Sequence, residues 1–362
     1  MKICFVAPAN NYHTKKWCNW FLARGYEIHV VSFIDDVIPN VNIHFIDAGV
    51  NAQESDFSKI RYLLYFSKVK RIIKDIKPDI INVHYATSYG TVVALSGVKP
   101  YILSVWGSDI YDFPYKSIFH KLMLKYSLSK AAYLFSTSQA MAEEAAKYTK
   151  KNFVITPFGV DMNLFQPSFE IKNTNKFVVG TVKGISAVYG IDYLLKAVSI
   201  VHSRYPEIDI RLRIAGTGDA EKEYKALADK LGVSNITTWL GFISQEQVAV
   251  EWKNMDVAVI YSNQESFGVS AVEAQACGIP LIISDVSGLK EATEPQKTCI
   301  VVPKKNEYEL AKSIKYLYDN PDLRREMGIR ARKYVLKMYE LNSCFYKIEE
   351  TLKLYIKENA ND

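Results

Sequence analysis

The chain of 362 residues carries only five cysteines, Cys4, Cys18, Cys277, Cys299 and Cys344, scattered and without a C-x-x-C pair. That excludes a disulfide framework or a zinc ribbon and suits a reducing compartment. No apolar run approaches the ~20 residues that span a bilayer, and the N-terminal MKICFVAPANN has no small-residue cleavage site. A cytoplasmic location is therefore expected. Low-complexity tracts and solenoid repeats are missing, as are the aromatic-interleaved motifs and charged recognition helix of nucleic-acid binders. What the sequence does have is 49% hydrophobic and 23% charged residues, the balance of a soluble globular protein. Its length is that of two domains, each able to bury a core.

Charge is unevenly spread. Residues 1–160 hold 19 Lys and Arg against 12 Asp and Glu, and the rest hold 26 against 27, so a basic first half (+7) precedes a neutral second half (−1). Such asymmetry marks a surface that meets anions: a phosphorylated substrate, anionic lipid head groups or nucleic acid.

Short apolar runs alternate with helical-period segments throughout. KICFVA, EIHVVSF, VNIHFID, DIINVHY, YILSVW, AYLFSTS and FVITPF form one series; after the polar stretch Gln166 to Lys176 come FVVGTV, DIRLRIAG, NITTWLG, DVAVIYS, PLIISD and TCIVVP. This is the βαβ pattern of doubly wound parallel sheets, and it predicts two Rossmann-like α/β domains. Ligands bind such sheets beyond the carboxyl ends of the strands, so the informative residues follow these runs. From Pro321 onward the pattern is helical.

The most informative stretch is NQESFGVSAVEAQACGIPLIISD, residues 263–285. Its spacing places Glu265 on a loop after a strand and Glu273 about one turn inside the next helix, which stops at Gly278. Amides near Gly268 and Val269 then lie at a helix N-terminus, where an anionic group is favoured by ~0.3–1 kcal/mol. Two carboxylates beside a phosphate make sense if they bind hydroxyls, which points to a polyhydroxylated phosphate ester. An amphipathic helix with two solvated glutamates is the simpler alternative for an isolated E-x7-E.

The run ESFGVSAVEAQACGIP, with SGLKE at 287–291, resembles the E-x7-E region of family 4 (group 1) glycosyltransferases, which have the GT-B fold. TPFGVDMNLF (156–165), YGIDYLLKAV (189–198), IAGTGD (214–219), LGFIS (240–244) and WKNMDVAVIYS (252–262) also match at family-like spacing. The resemblance implies two Rossmann-like domains facing a central cleft: an acceptor-binding domain of residues 1–164 plus a last helix at about 340–362, and a donor-binding domain of 165–339. It implies that Glu273 holds the ribose of a UDP- or GDP-sugar and that Glu265 faces the donor sugar. Backbone amides of Phe267, Gly268 and Val269 would contact the sugar or diphosphate. Gly216 and Gly218 would border the nucleotide, with the backbone of Gly241 and Phe242 near the base. It implies retention of anomeric configuration without a metal or other cofactor, and the sequence contains no D-x-D. Charge on the leaving diphosphate must then be met by cations and a helix end. Lys183, just after a strand, is the leading phosphate ligand, with Gly159 leaving room. The family pattern has an Arg just after this strand and a Lys at the helix start, where this chain has Tyr189.

In the first half, His84 and Asp109 sit at strand ends and are the polar candidates for the sugar and acceptor region. Trp106 stands where many relatives have a His and offers a stacking surface. His13, Lys15 and Lys16 lie in the first loop. Two basic helical segments, residues 59–77 and 114–130, suit an anionic membrane interface. A core-facing apolar stripe with solvated lysines is the alternative for each. The expected function is transfer of a sugar to a lipid-linked saccharide in surface polysaccharide or lipopolysaccharide assembly, by a protein that is cytoplasmic or peripheral on the membrane's inner face. The rivals are a nucleotide-sugar epimerase of the same fold and a non-catalytic sugar-nucleotide-binding subunit.

Overall fold

The computed structural model describes residues 1–49, 58–168 and 175–359. Most of the polar stretch after Gln166, the start of the basic segment 59–77 as regards side chains, and positions 360–362 lie outside the described residues. The chain divides into two units, Met1–Phe158 with Phe345–Asp362, and Gly159–Cys344. These divisions fall a few residues from the 164 and 340 read from the sequence. The reason is local: the Val160 amide donates to the Tyr339 carbonyl at 2.8 Å and Leu341 donates back to Val160 at 3.1 Å.

Unit 1 is a parallel sheet of β1 (Lys2–Val6), β2 (Glu27–Ser32), β3 (Asn42–Phe45), β4 (Ile80–His84), β5 (Ile102–Val105), β6 (Tyr133–Ser136) and β7 (Phe153–Ile155), in the order β3-β2-β1-β4-β5-β6-β7. Helices cover both faces, so central strands are buried throughout rather than alternating; Ile3, Cys4, Phe5 and Val6 are all buried, as is every residue of β4. The order reverses between β1 and β4, which opens a crevice at their carboxyl ends. The helix Tyr12–Leu22 starts where the Asn11 side chain accepts from the His13 amide at 2.8 Å, and it buries Trp17, Cys18 and Phe21. The helix Leu341–Asn359 begins in unit 2 and belongs to unit 1 from Phe345. Phe345 packs on Trp17 and Trp20, and the buried Glu349 carboxylate takes both Nε and Nη2 of Arg24, at 3.2 and 2.9 Å, plus the Tyr26 hydroxyl.

The two basic helices of unit 1 differ. The helix Phe66–Ile76 turns Val69, Ile73 and Ile76 into the core and leaves Arg71 and Lys74 in solvent, which is the simple amphipathic reading. The helix Ile118–Lys130 buries Leu124 and Leu128, yet leaves Ile118, Phe119 and Leu122 exposed.

Unit 2 is a parallel sheet of β8 (Lys176–Val182), β9 (Asp209–Ala215), β10 (Thr237–Gly241), β11 (Val257–Ile260), β12 (Leu281–Ser284) and β13 (Cys299–Val302), ordered β10-β9-β8-β11-β12-β13. Its switch point lies between β8 and β11. Helices Ile191–Arg204 and Glu307–Asp319 build the core on one face, and Val269–Ala276 with Pro321–Met338 on the other. Arg332 closes the second layer, its guanidinium donating to the carbonyls of Phe165 at 2.6 Å and Ala276 at 2.7 Å. The helix Val269–Ala276 thus ends on a half-buried cation, just before Gly278 at φ 73°.

Candidate functional site

The site in unit 2 forms across its switch point. Lys183 follows β8 and Glu265 lies in the loop after β11, and their Nζ and Oε2 atoms are 2.6 Å apart with both side chains nearly buried. Ser262 donates its hydroxyl to the same Glu265 oxygen at 3.1 Å. The Tyr189 ring faces the Lys183 ammonium at 4.6 Å, so the cation lies between a carboxylate and a π face. Burial works against the charge on Lys183, but Glu265 outweighs it, helped by Tyr189 and Glu273, and the pKa is held above the ordinary lysine value. The position where a second cation was sought carries an aromatic ring that stabilises the first.

The loops holding Lys183 are joined backbone to backbone. The Lys183 amide donates to Ala215 and the Ile185 amide to Thr217, both at 2.9 Å, while Gly216 donates to Gly241 at 2.7 Å. A Cβ on Gly216 would lie 1.9 Å from the Lys183 carbonyl oxygen, and one on Gly218 would lie 2.0 Å from that of Ile185. The G-x-G is therefore a contact surface between neighbouring loops, and it sets where Lys183 stands. Gly241 adopts φ 65° and hands the chain to Phe242, whose side chain is 84% exposed.

Gly268, at φ 90°, precedes the helix Val269–Ala276, which has no acidic residue in its first turn and no side-chain cap. The first amides of a helix have no intrahelical acceptor, so this end suits an anionic group. Phe267 is buried against Tyr339, so only its backbone faces the loop. Ser270 donates to the Val182 carbonyl at 2.8 Å and pins the helix start to β8. Glu273 is buried on this helix, 6% exposed. The structure places Lys183 beside Glu265, Gly268 next to Glu265, and Glu273 on the helix that Gly268 precedes. Ser262 and Ser270 were not anticipated, because a lone serine at a strand or helix end carries no distinctive signal.

Gly159 needs correction. The room it leaves is filled: a Cβ there would lie 2.9 Å from the Leu341 Cα and 3.2 Å from the Cys344 Cβ, so the glycine admits the start of a helix rather than a phosphate.

Unit 1 holds a pocket of about 320 Å³ at its own switch point. Asn10 and Asn11 reach it after β1, Tyr85, Thr87 and Tyr89 after β4, and Phe113, His120 and Met123 from the later helices. No Lys, Arg, Asp or Glu is among the described residues lining it. Tyr85 sits at φ 70°, a left-handed conformation unusual for a bulky residue and worth about 1–3 kcal/mol of strain.

His84 and Asp109 also require correction. His84 is fully buried among Phe5, Trp17 and Trp106, neither ring nitrogen has a hydrogen-bond partner, and burial pushes its pKa down to about 3. Its strand-end position was legible; that its side chain turns into the core was not. Asp109 is buried too, accepting from the amides of Ala86 at 2.9 Å, Gly107 at 2.8 Å and Trp106 at 3.2 Å. Its carboxylate clamps two loops and is not presented to a ligand. Burial raises its pKa, against the pull of those amides. Trp106 is 7% exposed, packed by His84, His13 and Phe158. His13 stacks on Phe158 at 3.7 Å, while Lys15 pairs with Asp36 at 2.7 Å.

Comparison with known proteins identifies the class. Residues 2–138 match the Glycosyl transferase 4-like family and residues 165–334 match the Glycosyl transferases group 1 family. The chain belongs to the group 1 glycosyltransferases. It is 30% identical over 210 residues to a D-inositol 3-phosphate glycosyltransferase of Arthrobacter sp. strain FB24, covering 55% of this chain and 50% of that protein. It is 23% identical to the N-acetyl-alpha-D-glucosaminyl L-malate synthase of Bacillus anthracis, over 93% of this chain and 92% of the other. The matched region spans about half the length of the D-inositol 3-phosphate glycosyltransferases. Among solved structures, sucrose-phosphate synthase from Thermosynechococcus elongatus superposes with a TM-score of 0.81 at 18% identity, covering 100% of both chains. Anabaena HepE in complex with UDP and glucose does so with 0.78 at 18% identity, over 98% of this chain and 99% of the other. The fold is GT-B. Among the described residues no helix is long and apolar enough to cross a membrane.

Proposed function

We propose that this chain is a retaining, metal-independent glycosyltransferase that moves a sugar from a UDP- or GDP-sugar to a hydroxyl of an acceptor held by unit 1. The observation that carries the proposal is the convergence of Lys183, Glu265 and the uncapped helix start at Gly268, with Glu273 buried on that same helix. The cation and the amides suit a diphosphate, and the carboxylates suit ribose and sugar hydroxyls. The complex of Anabaena HepE with UDP and glucose supports this choice of donor class.

In this reading the donor diphosphate displaces Glu265 from Lys183, freeing the carboxylate for the sugar. The bond from the anomeric carbon to the phosphate oxygen breaks as the acceptor oxygen bonds to that carbon on the same face. The acceptor proton passes to the departing phosphate oxygen, and Lys183 with the amides at Gly268 and Val269 takes up the growing negative charge. The acceptor is a lipid-linked saccharide of surface-glycan assembly, a reading supported by the basic first half of the chain and the uncharged lining of its pocket.

Thermal-shift screening of nucleotide sugars tests the donor. A ligand at about 100 times its Kd stabilises the native state by about 2.7 kcal/mol, a rise of several degrees in Tm, and Lys183→Ala should abolish it. Unchanged Tm with every UDP- and GDP-sugar, together with no transfer or donor hydrolysis, would refute the reading.

A further inference from the structure

The helix Ile118–Lys130 supplies His120 and Met123 to the pocket wall and buries Leu124 and Leu128 in the core. On its opposite side Ile118, Phe119 and Leu122 are 72%, 58% and 57% exposed, with Tyr126 beyond them. At 100° per residue these four fall in one stripe about 100° wide. A helix that is apolar on both sides has no reason to stay so in water, and contiguous exposed patches of this kind mark a binding surface.

Charge identifies the occupant. Lys116, Lys121 and Lys125 are exposed along the stripe, and residues 113–130 contain no Asp or Glu. On the pocket's other wall Tyr62 and Leu63 run directly into Leu64 and Phe66, which are also exposed. Two of the elements that line the pocket therefore continue into exposed apolar side chains beside its mouth. We infer that this surface seats unit 1 on an anionic lipid leaflet, with Ile118, Phe119 and Leu122 entering the acyl boundary and the lysines meeting phosphate head groups. Resting on the reading of unit 1 as the acceptor-holding unit, it places the uncharged pocket at the lipid surface, where it receives the neutral saccharide portion of a lipid-anchored acceptor.

Vesicle sedimentation with the full chain tests this, using phosphatidylcholine vesicles with and without phosphatidylglycerol at low salt. The native chain should sediment with the anionic vesicles and stay in solution with the neutral ones. Ile118→Ser, Phe119→Ser and Leu122→Ser combined, and separately Lys121→Glu with Lys125→Glu, should each weaken partitioning about tenfold or more. All five positions are exposed, and an unchanged nucleotide-sugar thermal shift would show that each variant is folded. A native chain that ignores anionic vesicles, or a serine variant that binds them equally well, overturns the inference. So does light scattering showing a dimer that the serine variant dissociates without any vesicle binding. Failure of the donor reading is distinct: vesicles would bind while no nucleotide sugar shifted Tm.

Discussion

The two α/β units share a strand order through their first six strands, yet the loops at their switch points carry opposite chemistry. In unit 2 the loops after β8 and β11 meet as Lys183 and Glu265, 2.6 Å apart, beside an uncapped helix start. In unit 1 the loops after β1 and β4 meet around a pocket lined by amides, hydroxyls and rings without a formal charge. The fold provides a crevice in both cases, and the loop residues decide what enters it. A charged crevice suits a leaving group on which negative charge develops. A neutral one suits a ligand that must be oriented through hydroxyls while its oxygen attacks. The buried carboxylates of unit 1 are consumed within the fold: three backbone amides take Asp109 and Arg24 takes Glu349.

The largest effects should separate charge from shape. Lys183→Ala is expected to lower kcat/KM about 10²–10³-fold, as loss of one transition-state donor does, and to lower Tm as well, because Glu265 is left nearly buried without its partner. An equal loss in a folded Lys183→Arg variant would mean that geometry dominates charge. In unit 1, Asp109→Ala strips the acceptor from three buried amides and should cost about 3–5 kcal/mol of stability, read as a fall in urea midpoint. Loss of turnover with an unchanged midpoint would instead return Asp109 to the chemistry.

A smaller effect follows from His84. Its folded pKa, about 3, lies below the ordinary 6.5 because burial disfavours the cation. A depressed value contributes stability that is complete above pH 6.5 and is lost as pH falls towards 3. The native chain should therefore lose about 1.4 kcal/mol more per pH unit in this window than His84→Phe, as measured by urea unfolding at successive pH values. Parallel curves for the two proteins would show that His84 is solvated. The smallest effect concerns Tyr85: Tyr85→Asn, a residue that tolerates left-handed backbone, should gain up to about 1 kcal/mol in stability while slowing transfer. A variant that is both less stable and equally active would remove Tyr85 from the pocket's function.

How much of this was legible depends on sequence distance. Glu265 and Glu273 were placed correctly because strand, loop and helix follow one another within a short span, and local periodicity with Gly278 marks each boundary. Lys183 was legible as a strand-end cation, but its pairing with Glu265 joins loops from opposite sides of the switch point. The G-x-G at Gly216 and Gly218 was visible as a motif, while its purpose, backbone contact with the Lys183 loop, required the fold. His84 misled because strand-end position says nothing about which way a side chain turns when Trp17 and Trp106 cover it. Gly159 misled because Leu341, which fills its space, is remote in sequence. For the helix Ile118–Lys130, periodicity detected apolar residues without saying which side met the core.

Alternation of apolar runs and helical segments, together with a short-range motif of glycine and paired glutamates, determined the architecture, the family and the wall of unit 2 to inspect, since hydrogen-bonded elements and helix ends depend on near neighbours. Tertiary structure alone decided that Lys183 is neutralised by Glu265, that His84 and Asp109 are interior, and that one basic helix keeps apolar side chains in water. Burial and charge pairing are set by residues far apart in the chain, and no local pattern records which of them will meet.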